Sequence, residues 1–375
     1  MLLPTCGLRV LITNHSLAGL TGTEVYVRDL ALGLLRRGHA PVVYTTRTGE
    51  GARRLREATI PVVDDLNKIS APPDIIHGQH HAETMTALLH FSETPALFFC
   101  HGWLPWNETP PRHPRLLRYL AVDDVCRDRL LFEAGVPEER TRVVLNAVDL
   151  ARFLPRGPLP PRPRRALVFS NSAERHAPVV REACARAGIK LDLAGGQHVL
   201  EEPEKVLGRY DLVFAKARCA LEALAVGASV VLCDSAGAGP LVTSADLARL
   251  RRLNFGIRTL QNELRPDSLA REISRYDAAD AAEVSRRVRA SADREETIDE
   301  LVALYREIIA EHALAPRDAA TEWRAAADYL RWLTVCVGRE REDLNNSLTA
   351  RLRDTVHGLP VVGALARAAA RKLKG

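Results

Sequence analysis

The chain has 375 residues, 46% of them apolar and 26% charged, a composition typical of a folded protein of about two domains. Lys and Arg exceed Asp and Glu by five, 52 against 47. Residues 351–375 alone hold six basic residues and one acidic residue, so the rest of the chain is electrically neutral. Because nucleic-acid-binding proteins present a basic face, we expect no nucleic acid as a partner.

Seven scattered cysteines without a C-x-x-C pair are typical of reduced thiols in a cytoplasmic protein. No run approaches the ~18 consecutive apolar residues of a membrane span. Residues 1–7 lack the basic and apolar segments of a signal peptide. We therefore expect a soluble cytoplasmic protein.

Apolar runs of strand length alternate with helical patterns over the first 150 residues. A T-x-x-E capping box, Thr21 and Glu24, begins the first predicted helix, and Gly38 ends it. Residues 8–12, 41–46, 60–63, 74–76, 96–100, 119–122 and 143–145 are predicted strands. This alternation predicts a parallel sheet covered on both faces.

A proline-rich stretch then interrupts the pattern. Five prolines within residues 154–163 exclude a helix or a central strand and predict a stiff linker over 154–165. Strands are predicted again at 166–170, 189–194, 211–214 and 229–233, and helices at 179–187 and 221–226. Beyond Asp267 the pattern is helical and charged, through 298–312 and 321–335.

The predicted fold class is therefore α/β, with two Rossmann-like domains that face each other across a cleft. The first covers residues 1–153 and the second residues 166–311. Helices over 312–350 are expected to cross back to the first domain, and residues 351–375 form a basic amphipathic tail.

Three segments together resemble the glycosyltransferase family 4 members of the GT-B fold. Gly22-Thr23-Glu24 opens a helix that is followed by Arg37-Gly38-His39, residues 144–149 read Val-Leu-Asn-Ala-Val-Asp before Phe153, and residues 221–231 form a helix-and-strand motif. They occur in the family's order between Leu8 and Ile309. The resemblance implies a retaining, metal-independent hexosyltransferase. Its second domain would bind a UDP- or GDP-linked sugar, with no further cofactor, and its first domain a glycan, lipid-linked or small-molecule acceptor.

The resemblance also implies a donor site on the second domain. Glu222 matches the family's ribose-binding Glu, although the helix dipole alone also explains an acidic residue in a first turn. Phe214 stands where the family has a second Glu that meets the donor sugar, and the family's phosphate-binding Arg and Lys have no clean match within 170–176. Lys216 and Arg218 are candidates to hold the diphosphate instead, or are ordinary solvated charges.

Glycines provide two further candidates on the donor side. Gly237 and Gly239 are predicted to lie in a loop whose backbone N–H groups reach a phosphate, the alternative being a plain turn. Gly22 would let the first-domain loop approach the donor.

His101 occupies the family's active-site histidine position, directly after the apolar run of residues 96–100. It is a candidate catalytic residue together with Glu222, the alternative being a structural histidine. Trp103, Trp106 and Glu24 are acceptor-side candidates, and packing is the alternative for both tryptophans.

We expect no metal site. His77, His80 and His81 are close in sequence but have no matching carboxylate or thiol set. Asp123 and Asp124 follow a strand, as a helix cap does.

The basic tail combines apolar and cationic residues around Pro360, a pattern typical of helices that lie on an anionic membrane. Packing on the protein is the alternative. Two other functions stay open: a non-catalytic nucleotide-sugar-binding or partner protein, and a sugar-nucleotide epimerase. The sequence determines neither the nucleotide base, nor the sugar, nor the acceptor.

Overall fold

The computed structural model describes residues 7–19, 22–196, 200, 202–316 and 318–358, except the side chains of residues 340 and 343–358. Residues 7–110 and 115–315 form one compact unit that contains two β-sheets. Residues 111–114, 316 and 318–358 form a second unit. Thr21, half of the predicted capping box, lies outside the described residues.

The first sheet has seven strands in the order β3-β2-β1-β4-β5-β6-β7, all of them parallel. The strands are β1 Arg9–Thr13, β2 Ala40–Tyr44, β3 Val62–Val63, β4 Ile75–Gly78, β5 Ala96–Cys100, β6 Leu116–Ala121 and β7 Thr141–Val143. The helices are α1 Gly22–Arg36, α2 Glu50–Glu57, α3 His81–His90 and α4 Asp124–Asp128. Each predicted strand of this half is present, displaced by at most three residues.

The second sheet has five strands in the order β12-β11-β10-β8-β9. They are β8 Arg165–Phe169, β9 Lys190–Ala194, β10 Leu212–Ala215, β11 Ser229–Asp234 and β12 Gly237–Leu241. The helices are α5 Ala173–Arg186, α6 Ala217–Val226, α7 Leu247–Arg252, α8 Pro266–Ser274 and α9 Ala278–Arg289. Strand β12 runs antiparallel to β11, whereas the sequence predicts neither the strand nor its direction.

The strands of the second sheet are apolar on both faces, as a covered sheet requires. Along β10, Val213 and Ala215 belong to one buried cluster, and Leu212 and Phe214 belong to the other. This alternation follows from the two-residue period of a strand, which points neighbouring side chains to opposite faces. Both strand orders match the two common doubly wound arrangements, so the predicted Rossmann-like α/β fold is confirmed.

The chain passes twice between the two sheets. Residues 144–164 lead from β7 to β8. The chain returns to the first sheet near Ala292 and Arg294 and is hydrogen-bonded there to the first crossing. The Val148 N–H donates to the Ala292 carbonyl (2.8 Å), and the Arg294 N–H donates to the Val148 carbonyl (3.0 Å). In the proline-rich stretch, the Arg156 N–H donates to the Val226 carbonyl at 2.8 Å. No helix or strand is assigned within 154–164.

Helix α10, Arg294–Leu314, returns to the first sheet. It packs on α1 where Gly33 has no side chain, since a Cβ at that position would lie 2.1 Å from Ile298 Cδ1. Arg37 of α1 forms ion pairs with Glu295 at 2.7 Å and with Asp299 at 2.6 Å, both on α10. The helix that contacts the first sheet thus spans 294–314, and the placement predicted for 312–350 stays a prediction.

Helix α11, Ala319–Gly358, belongs to the second unit. Among the described residues, no helix is both long enough and apolar enough to cross a membrane. Six cysteines of the described part of the chain are free thiols. Residues 359–375, most of the predicted tail, lie outside the described residues.

Candidate functional site

A pocket lies between the two halves of the compact unit. It is lined by Tyr26, Asp29 and Leu30 of α1, by Phe99 of β5, by residues 144–147 after β7, by Arg218 of α6, and by Arg294, Thr297, Ile298 and Leu301 of α10. Ligands of doubly wound sheets bind beyond the strand carboxyl ends, at the point where the strand order reverses. Phe99 and Arg218 lie close to such ends, those of β5 and β10, so the pocket is where the fold alone predicts a ligand.

Asp29 is the buried anion of this pocket, with 6% of its surface exposed. It forms an ion pair with Arg218 of the second half, and it lies 3.0 Å from Arg28 and 3.9 Å from Arg294. Burial disfavours its charged form, but Arg218 and Arg28 more than offset this effect and lower the carboxyl pKa. Asp29 therefore ties the first half to the second by electrostatic attraction.

Glu222 and Arg218 lie one turn apart on α6, and Arg218 Nε donates to Glu222 Oε1 at 2.8 Å. Glu222 is buried, 6% exposed. Burial raises its pKa, and Arg218 partly opposes that rise. Of these two predicted donor residues, Arg218 lines the pocket, and Glu222 is buried beside it. In this arrangement Arg218 is paired with two carboxylates, those of Glu222 and Asp29.

Lys216 precedes the first turn of α6 and forms an ion pair with the buried Asp234 at the end of β11. The next residue, Ala217, has a φ of 50°, in the left-handed region that only glycine adopts without strain. Strained backbone of this kind clusters at ligand sites. The amino terminus of α6 carries partial positive charge, which suits a phosphate.

Gly237 and Gly239 do not form the predicted loop, and that prediction is wrong. Both lie in β12, and the Ala238 N–H between them donates to the Asn262 carbonyl at 2.9 Å. A Cβ at Gly237 would lie 2.9 Å from the Asn262 oxygen, and one at Gly239 would lie 2.6 Å from the Thr259 oxygen. These glycines permit close backbone packing, and the Ala238 N–H is not available to a phosphate.

His101 follows β5 and contributes an imidazole beside the pocket. Its ring packs against Phe99 and Tyr26, with centroid distances of 4.2 and 4.5 Å. Its Nε2 atom is buried and has no hydrogen-bond partner among the described residues. Burial lowers its pKa well below the usual value, and His77 adds to this effect, so the ring is neutral at physiological pH. A neutral imidazole with a spare nitrogen suits a hydrogen bond to a substrate.

The other residues of the first domain that the sequence made site candidates lie outside the pocket. Glu24 is buried, and its Oε1 accepts the Gly19 N–H at 2.9 Å, so it shapes the loop before α1. Gly22 begins α1, and a Cβ there would meet nothing within 4 Å. Trp103 is 40% exposed, whereas the ring of Trp106 packs on His81 at 4.4 Å. None of the four lines the pocket described above.

The histidines considered for a metal are spread over two elements. His77 lies within β4, its Nδ1 lies 2.6 Å from the Tyr305 hydroxyl, and burial lowers its pKa to about 3. His80 and His81 begin α3. Within the part of the chain that the structure describes, no group of three or more potential ligands is placed to hold a metal ion. The predicted cap is confirmed, since Asp123 accepts the Cys126 N–H at 2.8 Å.

Phe214 is fully buried within β10, in a cluster that includes Val168 and Val231. The position where the resemblance implies a donor-binding Glu therefore belongs to the core here. A Glu in place of Phe214 would therefore place a charged carboxylate in the apolar core, which is energetically costly.

Sequence reasoning missed Tyr26, Asp29 and Arg294. Tyr26 and Asp29 are three residues apart, which places them on one face of α1. An acidic residue on the buried face of a predicted helix could have identified Asp29 as a site residue, because unpaired buried carboxylates are rare. Arg294 had no such signal, since its position depends on the return of α10 to the first half.

Removing the Asp29 carboxylate is expected to destabilise the protein. Asp29→Ala leaves Arg218 and Arg28 without their shared anion and should lower the free energy of unfolding at pH 7 by about 3–5 kcal/mol. Because the folded-state pKa of Asp29 is lowered, its contribution is present above the unfolded pKa of roughly 3.9 and is lost as the pH falls through the folded pKa. Urea unfolding at pH 3 to 7 measures this difference.

Asp299→Ala is the matched control, because Asp299 also pairs with an arginine but its side chain is 66% exposed. Such a surface pair contributes about 0–1 kcal/mol. Equal losses in the two variants at pH 7 would contradict the role assigned to Asp29.

Comparison with known proteins agrees with this architecture. Residues 20–152 match Glycosyltransferase Family 4. The chain is similar in structure to a glycosyltransferase from Rickettsia africae ESF-5, with a TM-score of 0.59 and 14% identity over 81% of this chain and 99% of the other. It is also similar to Anabaena Alr3699/HepE in complex with UDP and glucose, with a TM-score of 0.53 and 16% identity over 79% and 98% of the two chains.

No curated protein sequence matches the chain. At such identities the structural likeness concerns the fold alone, and the sequence match lies in the first domain. The structural likeness shows that the chain has the GT-B fold, and within it residues 20–152 are similar to Glycosyltransferase Family 4.

Proposed function

We propose that the protein is a retaining glycosyltransferase, which moves a hexose from a nucleotide sugar to a glycan, lipid-linked or small-molecule acceptor. The observation that carries this proposal is the pocket between the two halves, where Arg218 and Asp29 meet. In the proposed complex the donor lies on the second half and the acceptor on the first.

The donor would bind along α6. Its diphosphate would lie at the amino terminus of the helix, near Lys216 and Arg218, because that end combines two cations with the helix dipole. The carboxylate of Glu222 would accept hydrogen bonds from two ribose hydroxyls. Both steps require Arg218 to exchange at least one carboxylate partner for the phosphates, so we expect donor binding to rearrange its ion pairs with Asp29 and Glu222.

The neutral imidazole of His101 would hydrogen-bond the transferred sugar from the first half. Retention would follow if the leaving phosphate takes the proton of the acceptor hydroxyl on the same face of the sugar, which requires no dedicated protein base. The protein would then contribute positioning and charge stabilisation, which together account for a large part of enzymatic rate enhancements. We propose that this chemistry needs no metal ion and no cofactor besides the nucleotide sugar.

Two observations favour a second candidate, a non-catalytic protein that binds nucleotide sugars. Phe214 is part of the core, and both Lys216 and Arg218 are already paired with carboxylates. A protein of this kind would bind the donor and turn over none of it.

The deciding experiment screens UDP- and GDP-linked hexoses by thermal shift and then assays donor hydrolysis and transfer with the nucleotides that bind. Stabilisation with turnover supports the transferase, and stabilisation without turnover across acceptor classes supports the binding protein. No shift with any nucleotide sugar would contradict both.

We also propose that residues 351–375 bring the protein to the inner face of a membrane, since their net charge of +5 favours anionic lipid by roughly 1 kcal/mol per basic residue near the surface. The full chain should sediment with vesicles that contain anionic lipid, and a variant ending at Ala350 should stay in the supernatant. Neutral vesicles serve as the control. Equal sedimentation of the two proteins would contradict the proposal.

A further inference from the structure

The segment between β5 and β6 carries His101 and is held from two sides. On one side, the buried Arg129 donates to the Gly102 carbonyl at 2.7 Å and to the Pro105 carbonyl at 3.2 Å. On the other side lies Glu108, at the end of a short 3-10 turn. The segment is therefore fixed by buried charged groups, although it contains almost no regular secondary structure.

Glu108 is 3% exposed, and its Oε2 accepts the backbone N–H of His101 at 3.0 Å. The N–H of Gly102 favours the charged form of this carboxyl. The backbone of His101 is thus attached to a buried side chain. Because the imidazole is joined to that backbone, the position of the ring against Tyr26 depends on Glu108.

The second oxygen of Glu108 faces His80. Glu108 Oε1 lies 3.6 Å from His80 Nε2, and His80 Nδ1 accepts the His15 N–H at 2.9 Å. A neutral imidazole that accepts at Nδ1 carries its proton on Nε2, so His80 presents an N–H toward the carboxylate. Both of these groups at the Glu108 oxygens, the His101 N–H and the His80 Nε2–H, are thus hydrogen-bond donors.

We propose that Glu108 is a positioning residue of the transferase: its carboxylate holds the His101 backbone and thereby aims the imidazole at the transferred sugar. This proposal rests on the function proposed above. Glu108 touches no reacting atom in this scheme and acts only through His101.

The charge of Glu108 is set by its surroundings. Burial raises the pKa of this carboxyl to about 7, against the opposing effects of the His101 and Gly102 N–H groups and of Arg129. The pKa values of His80 and His81, at the start of the neighbouring α3, are lowered to about 4 by burial, so these rings stay neutral in this range. An ionised carboxylate accepts a hydrogen bond from an N–H group more strongly than a carboxylic acid does. The hydrogen bond from the His101 N–H to Glu108 therefore strengthens as the pH rises through neutrality.

The test compares Glu108→Gln, Glu108→Ala, His101→Ala and the double alanine variant in full-length protein. We expect kcat of the wild type to rise about 5- to 10-fold between pH 6 and 8, and that of Glu108→Gln to stay flat, because the amide is a neutral acceptor at every pH. Glu108→Ala should lower kcat at least ~30-fold with KM within about 3-fold, and should have no further effect once His101 is alanine. Equal effects of Glu108→Ala with and without His101 would overturn the proposal.

A second readout separates this proposal from the proposed function. If the wild type turns over no nucleotide sugar, the transferase is contradicted, and the positioning role is read instead from the imidazole Cε1 chemical shift of His101 in histidine-labelled protein. We expect that shift to titrate near neutral pH in the wild type and not in Glu108→Gln. A shift that does not change between pH 5.5 and 8.5 in the wild type would overturn the role of Glu108.

Discussion

Glu222→Ala is expected to lower kcat/KM for the nucleotide sugar by about 100-fold or more, because each hydrogen bond to a charged group contributes ~1.5–3 kcal/mol and the ribose would lose two. Glu222→Gln should lose less, since the amide keeps one acceptor oxygen. Initial rates of donor hydrolysis across a range of donor concentrations measure both variants. The two halves should stay joined in each, because Arg218 keeps its ion pair with Asp29.

Asp211→Asn is the matched control for this prediction. Asp211 is also a buried carboxylate paired with an arginine, Arg156 at 3.1 Å, but it precedes β10 and so lies at the opposite edge of the second sheet. It should lower stability and leave kcat/KM within about 3-fold of the wild type. If Asp211→Asn and Glu222→Ala lost activity in parallel, the effect would be one of folding, and Glu222 would have no role in binding the donor.

His101→Ala is expected to lower kcat by about 100- to 1,000-fold with little change in KM, the loss typical of removing one hydrogen bond to a developing charge. Its Nε2 has no partner among the described residues, so removing it breaks no hydrogen bond there. The loss of ring packing on Phe99 and Tyr26 should also lower stability, by about 1 kcal/mol for the ring contacts plus the cost of the space left by the imidazole. Steady-state kinetics and thermal unfolding of the same preparation separate the two effects.

His90→Ala, at the exposed end of α3, is the control, and it should change neither kcat nor KM. A His101→Ala variant that is folded and as active as His90→Ala would show that the position implied by the family resemblance is structural in this protein.

Most of the architecture follows from local patterns in the sequence. Buried parallel strands such as Ala96–Cys100 are short continuous apolar runs, and such runs stand out between amphipathic helices. The rule that ligands bind beyond strand carboxyl ends then places His101 and Arg218 near one cleft. Predicting the strands and the approximate position of the site therefore needs no knowledge of long-range contacts.

Strand β12 was not predictable in this way. Its sequence, Gly-Ala-Gly-Pro-Leu, has the composition of a turn, and it becomes a strand because β11 and the carbonyls of Thr259 and Asn262 pack closely against it. Tertiary contacts here override a weak local β propensity. The phosphate loop predicted at Gly237 and Gly239 was wrong for the same reason.

Local sequence patterns could not predict the ion pairs of the cleft either. Arg218 and Asp29 are 189 residues apart, and they meet only because the chain crosses between the halves at Val148 and again at Arg294. The sequence made Arg218 a candidate to hold a diphosphate, or an ordinary solvated charge. It did not indicate that Arg218 would pair with two carboxylates of the protein itself.

The most direct measurement is a crystal structure of the protein with the nucleoside diphosphate that gives the largest thermal shift. We expect the diphosphate at the amino terminus of α6, the ribose hydroxyls on the Glu222 carboxylate, and Arg218 turned from Asp29 toward the phosphates. A nucleotide bound elsewhere, with Arg218 still paired to Asp29 and Glu222, would contradict the proposed donor site.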